Sequence, residues 1–277
     1  MLGQTWYFSL IRKYVILMGH LLNDISIERT DANNNVTEVI SVPLTYSPKE
    51  KMLTRLQSDP NIGRAYSELL PRISFQLNSA VYDGDRKLPS MNFIALKNVT
   101  NATKAMYQYT PVPWNFGFTA SVYSKNVEDT CKIVEQIMPF FTPDYTARVM
   151  LVPAMNETRD IPVILNSGNI VDLLNDKLTE RQVYIWDLNF TVKGFLYQPI
   201  RQAPLIQYAN VSSYIYNPDK SNQLPSIDAK VNEVLTQPGL TANGEPTSNI
   251  SLSIPVNQIF LDDDFGYVIT KTDASGT

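Results

Sequence analysis

Histidine and cysteine are almost missing from this chain: its 277 residues include one of each, His20 and Cys131. A single cysteine excludes an intrachain disulfide and points to synthesis in a reducing compartment. A single histidine makes any Ser–His or Cys–His catalysis depend on His20 alone, and the pair cannot supply a zinc site of the usual ligands. Glycine is scarce too, with 11 residues and no phosphate-binding glycine loop among them. Lys and Arg total 23 against 27 Asp and Glu, so the net charge of -4 lacks the cationic excess with which proteins grip phosphate backbones. Nothing approaches the roughly 20 apolar residues that cross a bilayer. The stretch YVILMGHLL behind Arg12 and Lys13 mimics a signal peptide, but it is short, contains His20 and runs into Asn23 and Asp24 without a small-residue cleavage site.

What the chain does have is scaffold. With 44% hydrophobic residues it can bury a substantial core. Its best-defined stretch is residues 109–143. There Trp114, Phe116, Phe118, Ala120 and Val122 alternate with polar or small neighbours, which predicts a strand with one face on a core. Asn126 then caps a predicted helix whose first turn carries Glu128 and Asp129, with Val127, Cys131, Val134, Met138 and Phe141 as its buried stripe and Pro139 and Pro143 as its stop. On that stripe Cys131 acts as a small hydrophobe.

Upstream, Tyr7, Leu10, Ile11, Tyr14, Met18, Leu21 and Leu22 predict one face of an N-terminal amphipathic helix. Residues 25–29 and 36–44 form a predicted hairpin across DANNN. Ser47, Pro48 and Glu50 begin a second helix that buries Met52, Leu53 and Leu56. Pro60 to Gly63 break it, a short turn or helix follows over 64–70, and Ile73, Phe75, Leu77 and Val81 mark a strand. Residues 83–108 lack a sustained period and read as a long loop.

Downstream, 147–152 and 161–165 are predicted short strands, 170–178 a helical turn, and Trp186, Leu188, Phe190 and Val192 another alternating strand. Residues 217–249 are loop-heavy, with strands returning at 250–260 and 267–270. The expected fold is α+β, a mostly antiparallel sheet flanked by a few helices, with a main domain over 1–215 and a loop-rich C-terminal arm with returning strands over 216–277 that belongs to the same domain.

Candidate chemistry is thin. Asp262, Asp263 and Asp264 form an acidic run without calcium-loop spacing, and the DFG at 264–266 has no glycine-rich loop or HRD to accompany it. No Asp/Glu pair is nominated for glycoside hydrolysis. Trp114 and Trp186 read as core. Seven Asn-x-Ser/Thr triplets occur, yet Asn189 lies within a strand pattern where a glycan would disturb the ladder.

Five blocks, in order and register, carry a resemblance: LIRKYVILMGHLLNDISIER at 10–29, VPLTYSPKE at 42–50, LLPRISFQL at 69–77, YTPVP with VEDTCKIVEQIMPFFTP within 109–143, and WDLNFTVKGFLYQP at 186–199. Together they resemble the tail sheath stabilisers, or tail completion (neck) proteins, of T4-like contractile-tailed bacteriophages. The resemblance implies a fold similar to phage tail terminators. It also implies a hexameric ring at the head-proximal end of the tail, capping the tail tube terminator and the last sheath ring and receiving the neck proteins beneath the portal. The implied molecule is a structural virion protein with no enzymatic activity, no cofactor and no membrane contact, assembled in the host cytoplasm, through which genome DNA passes without specific binding. Within the matched blocks, Arg12, Lys13, Tyr14 and Arg72 are candidates for subunit or partner contacts. A tail terminator and, more remotely, a carboxylate-based hydrolase or a glycan-bearing secreted module stay open as alternatives.

Overall fold

A computed structural model of the chain describes residues 5–30, 35–57, 70–98, 103–142, 144–172, 183–214 and 230–273. The chain forms two compact units, the first from residues up to 89 together with 111–197, the second from 90–110 together with 198 onward. The expected arm thus begins within the second unit and not at its start, and that unit also takes up 90–110.

The first unit is built on a six-stranded sheet in the order β3 (Leu44–Tyr46), β4 (Arg72–Tyr82), β7 (Val112–Ser124), β10 (Tyr184–Leu196), β9 (Glu157–Asp172), β8 (Asp144–Val152). All neighbours are antiparallel except β3 and β4. The predicted alternation holds at its centre, where Phe116, Phe118, Ala120 and Val122 of β7 stand beside Phe190, Leu188 and Val192 of β10, all buried. Trp114 and Trp186, expected in the core, are only half-buried. One-sided burial also fails at the far end of β7. Ser121, Tyr123 and Ser124 are buried as well, because Met52 of α2 (Lys49–Gln57) packs with Tyr123 and Ile185 on the second face. The side chain of Leu56 lies outside the described residues, as do the expected breaks and turns at 60–69, Pro143 and all of 31–34.

Two more helices cover the sheet. α1 (Leu10–Leu21) buries Leu10, Tyr14 and Met18 at four-residue spacing, with Leu22 just beyond. Tyr7 precedes the helix and is 79% exposed, and Ile11 is also exposed, so neither belongs to that face. α3 (Val127–Ile137) follows Asn126 as expected, but it buries Asp129, Thr130, Ile133, Val134 and Ile137, leaving Val127 exposed. The stripe is rotated from the predicted one by what α3 touches. Asp129 faces inward to meet Arg29 at 3.3 Å. Lys132 Nζ and Gln136 Nε2 donate to the carbonyls of Glu28 and Ser26 in β1 (Ser26–Thr30). Those bonds cover the edge of the small sheet that β1 makes with β2 (Val36–Ser41).

The close packing of α1 on the main sheet turns on β10. Its pairing with β9 ends at Val192 and Val163, one residue before Pro162, which has no N–H to offer. Beyond that point the Tyr14 hydroxyl takes the place of the missing strand. It donates to Phe195 O and accepts from Phe195 N, both at 2.8 Å. Its ring lies 5.0 Å from that of Phe116 and directly over Gly194, where an added Cβ would stand 2.7 Å from Tyr14 Cζ. Only glycine permits that approach.

The second unit holds two three-stranded antiparallel sheets. In one, β6 (Lys104–Tyr109) lies between β11 (Arg201–Pro204) and β5 (Phe93–Lys97). In the other, β13 (Lys230–Gly239) lies between β12 (Ala209–Tyr214) and β14 (Gly266–Asp273). This corrects two expectations. Residues 83–108 are not a loop throughout, and the region 217–249 contains a ten-residue strand. Conversely, 250–260 forms turns and a short 3-10 segment, Val256–Gln258, where a strand was expected, while the expected strand at 267–270 lies within β14. The proposed helical turn at 170–178 is β-strand as far as Asp172 and lies outside the described residues beyond it.

Tyr14→Phe strands the partly buried Phe195 N–H and C=O, so it should lower stability by about 1–3 kcal/mol. Gly194→Ala should lower it by about 1–3 kcal/mol through overpacking against the rigid Tyr14 ring. Urea unfolding of each variant against the parent protein checks both values.

Candidate functional site

A polar cluster of the first unit surrounds Phe195. The guanidinium carbons of Arg86 and Arg159 each lie 5.1 Å from the centre of its ring. Arg159 Nε donates to Glu157 at 2.7 Å and to the Tyr197 hydroxyl at 2.9 Å, and that hydroxyl donates to the same Glu157 oxygen at 2.9 Å. Arg86 is held by Asp83 at 2.6 Å and by Asn115 at 3.0 Å. The Arg86 hydrogen bond holds the Asp83 carboxyl below the usual carboxylate range. Burial pushes the Tyr14 phenol up to about 12, against the pull of its bond to Phe195, and burial also raises Tyr197 and Tyr123. Perturbed groups of this kind often mark reaction centres. Here each charge is answered by a neighbour within the fold, and the cluster acts as a clamp on the end of β10.

On the outer face of the sheet, side chains form a polar strip across four strands. Asn78 donates to Thr119, Thr119 to Asn189 at 2.7 Å, and Asn189 to Ser167 at 3.1 Å. Asn189, one of the seven triplet asparagines, is thus occupied within a central strand. Asp187 accepts from Ser121 at 2.6 Å and from Lys49, which ties α2 to β10.

The residues singled out in the sequence fall in different places. Tyr14 is fully buried and belongs to the core, so it offers no surface to a partner. Lys13 turns inward, donating from Nζ to Met150 O at 2.8 Å and Leu151 O at 2.7 Å, carbonyls freed by an irregularity in the pairing of β8 with β9. Arg12 is exposed on α1, and Arg72 is half-buried at the start of β4. Asp262 pairs with Lys97 at 2.9 Å, and Asp263 accepts from the Phe260 N–H at 2.8 Å, as expected of a turn. Among the described residues no group of three His, Cys, Asp or Glu could hold a metal ion.

Sequence reasoning missed the surfaces that the fold assembles. One is a groove of about 670 Å³ between the ends of α1 and α3, lined by His20, Asp24, Ile25, Glu135, Phe140 and Tyr145 among others. Its lining comes from separate segments, so no linear pattern announces it. Another is a face of the second unit's β12–β13–β14 sheet. Register places Val211 beside Val234, and Ile269 and Tyr267 on that same face. Val211, Tyr267 and Ile269 are 66%, 64% and 59% exposed. Apolar area of this kind on a sheet face marks contact surfaces. The alternation Tyr267, Ile269 was the signal available in the sequence.

These features define a protein of the α+β class, whose described polar clusters hold the fold and whose described surface includes exposed apolar faces and a groove. The comparison with known families agrees. The family model for the T4-like virus Myoviridae tail sheath stabiliser matches residues 5–272, and the chain belongs to that family. It is also 29% identical over 240 residues to the tail completion protein gp15 of Enterobacteria phage T4, a match covering 82% of this chain and 86% of that protein.

Lys13→Ala should destabilise by about 1–3 kcal/mol by freeing two carbonyls, whereas Arg12→Ala should stay within about 0.5 kcal/mol; thermal unfolding distinguishes the two. Because the folded state holds the Tyr14 proton above the ordinary phenol value of 10.0, stability is full below that pH and falls as pH rises from 10 towards 12. Stability measured across that range should fall less steeply in Tyr14→Phe.

Proposed function

We propose that copies of this chain close into a hexameric ring at the head-proximal end of a contractile tail. There the ring caps the tail tube terminator and the last sheath ring and presents the attachment surface for neck proteins below the portal. The observation that carries this reading is the family match, which runs from residue 5 to residue 272 and so takes in both compact units. The name of the relative in phage T4, a tail completion protein, points the same way. A fold like that of the tail terminators, residence in the virion and assembly in the host cytoplasm belong to the same proposal.

Ring closure requires two different complementary surfaces on each subunit. The β12–β13–β14 face and the exposed surface of α1 around Arg12 are different in kind, one apolar and one mixed, and they supply candidates for such contacts. Arg72 stays a candidate for an inter-subunit ion pair. The -4 charge of each copy suits a ring through which DNA slides, since six acidic subunits repel the phosphate backbone.

Tails isolated from phage lacking this chain should fail to join heads, and the purified protein should restore joining. Failure of restoration by a folded preparation would contradict the reading. Assembled rings should retain no duplex DNA in filter binding at about 0.15 M salt.

A further inference from the structure

We propose that the groove between α1 and α3, with the open edge of β8 beside it, receives an extended segment of another tail protein that carries apolar side chains and a lysine or arginine. The proposal rests on the reading of the chain as a tail component and names the chemistry of one partner.

Three observations support it. The first is the groove itself, about 670 Å³ in volume, with Ile25, Phe141 and Tyr145 in its wall and the Phe140 ring 68% exposed at its margin. That is room for several side chains, and an exposed phenyl ring beside an apolar hollow is a docking feature. The second is charge. Asp24 and Glu135 line the groove, and no lysine or arginine does. Among the described residues Glu135 has no ion-pair partner and Asp24 accepts only the side-chain amide of Asn23, at 2.9 Å. A cation in the incoming segment completes this arrangement. A second copy of the chain is the alternative occupant that the test below separates.

The third observation is the strand edge. β8 is the outermost strand on its side of the main sheet, bonded to β9 along one edge. Lys13 occupies its far end by binding the carbonyls of Met150 and Leu151, and among the described residues no backbone partner lies along 144–149 on the open side. An unpaired edge of this length is a template for an added strand. Tyr145 belongs to both features, as a residue of β8 and part of the groove wall. A segment laid along β8 therefore sends every second side chain past Tyr145 into the hollow, towards the two carboxylates.

The test uses the full chain and tails isolated from phage that lack it, with co-sedimentation to measure binding and hydrogen exchange to locate it. The amides of 144–149 should exchange at least tenfold more slowly in the tail-bound protein than in the free protein. Phe140→Asp and Glu135→Lys, both at the surface, should each weaken tail binding tenfold or more while leaving the thermal transition of the free protein unchanged. Tail binding with unaltered exchange at 144–149, or with both variants binding like the parent, overturns the proposal and leaves the tail reading standing. Protection of 144–149 that arises on self-association without tails assigns the groove to a second copy and also overturns it. Absence of any tail binding by the parent protein removes the tail reading, and the proposal with it.

Discussion

The contact between the Tyr14 hydroxyl and the backbone of Phe195 is the constraint on which the first unit depends. Pro162 prevents β9 from continuing along β10, which leaves a partly buried N–H and C=O without a ladder partner. A single phenol supplies both missing bonds, and Gly194 clears the space for its ring. The same contact fixes α1 in depth and along its length. With α1 fixed, Lys13 reaches the irregular carbonyls of β8 and the end of α1 becomes one wall of the groove. One hydrogen-bonding side chain thus links the sheet interior to the surface features that face outward.

The electrostatics follow a similar economy. Arg86 and Arg159 both lie over the Phe195 ring and are each bound to a carboxylate, so partly buried cations are neutralised where they pack. Lys49 joins α2 to β10 through Asp187, and Arg29 joins the β1–β2 sheet to α3 through Asp129. Such pairs lock elements in register. In the proposed ring that rigidity is an advantage, because less freedom is lost on association.

Much of the first unit was legible in the sequence, and the reasons are local. β7 and β10 alternate cleanly because each lies in the sheet centre with one large apolar face, and α1 shows its four-residue spacing at Leu10, Tyr14 and Met18. The rotation of α3 was not legible, since the stripe through Cys131 and the stripe through Ile133 are nearly equally apolar. The choice is made by Asp129 meeting Arg29, a contact a hundred residues away in sequence. The second unit was largely hidden. FIAL at 93–96 is a continuous apolar run, and β13 carries Pro238 and mixed polarity along its length, so neither shows a period of two. The tyrosine hydroxyl that completes β10 and the groove lined by several segments exist only after folding. Family resemblance, carried by blocks such as LIRKYVILMGHLL and WDLNFTVKGF, was visible because those blocks encode this packing.

A cryo-electron microscopy reconstruction of a completed tail tests most directly the claim that this molecule works through surfaces held by a rigid scaffold. The account predicts six copies closed into a ring at the head-proximal end, each keeping the α1-on-sheet packing at Tyr14, with protein density against its exposed apolar faces. A tail end without this chain, or a chain there with α1 displaced from the sheet and those faces bare, would contradict it.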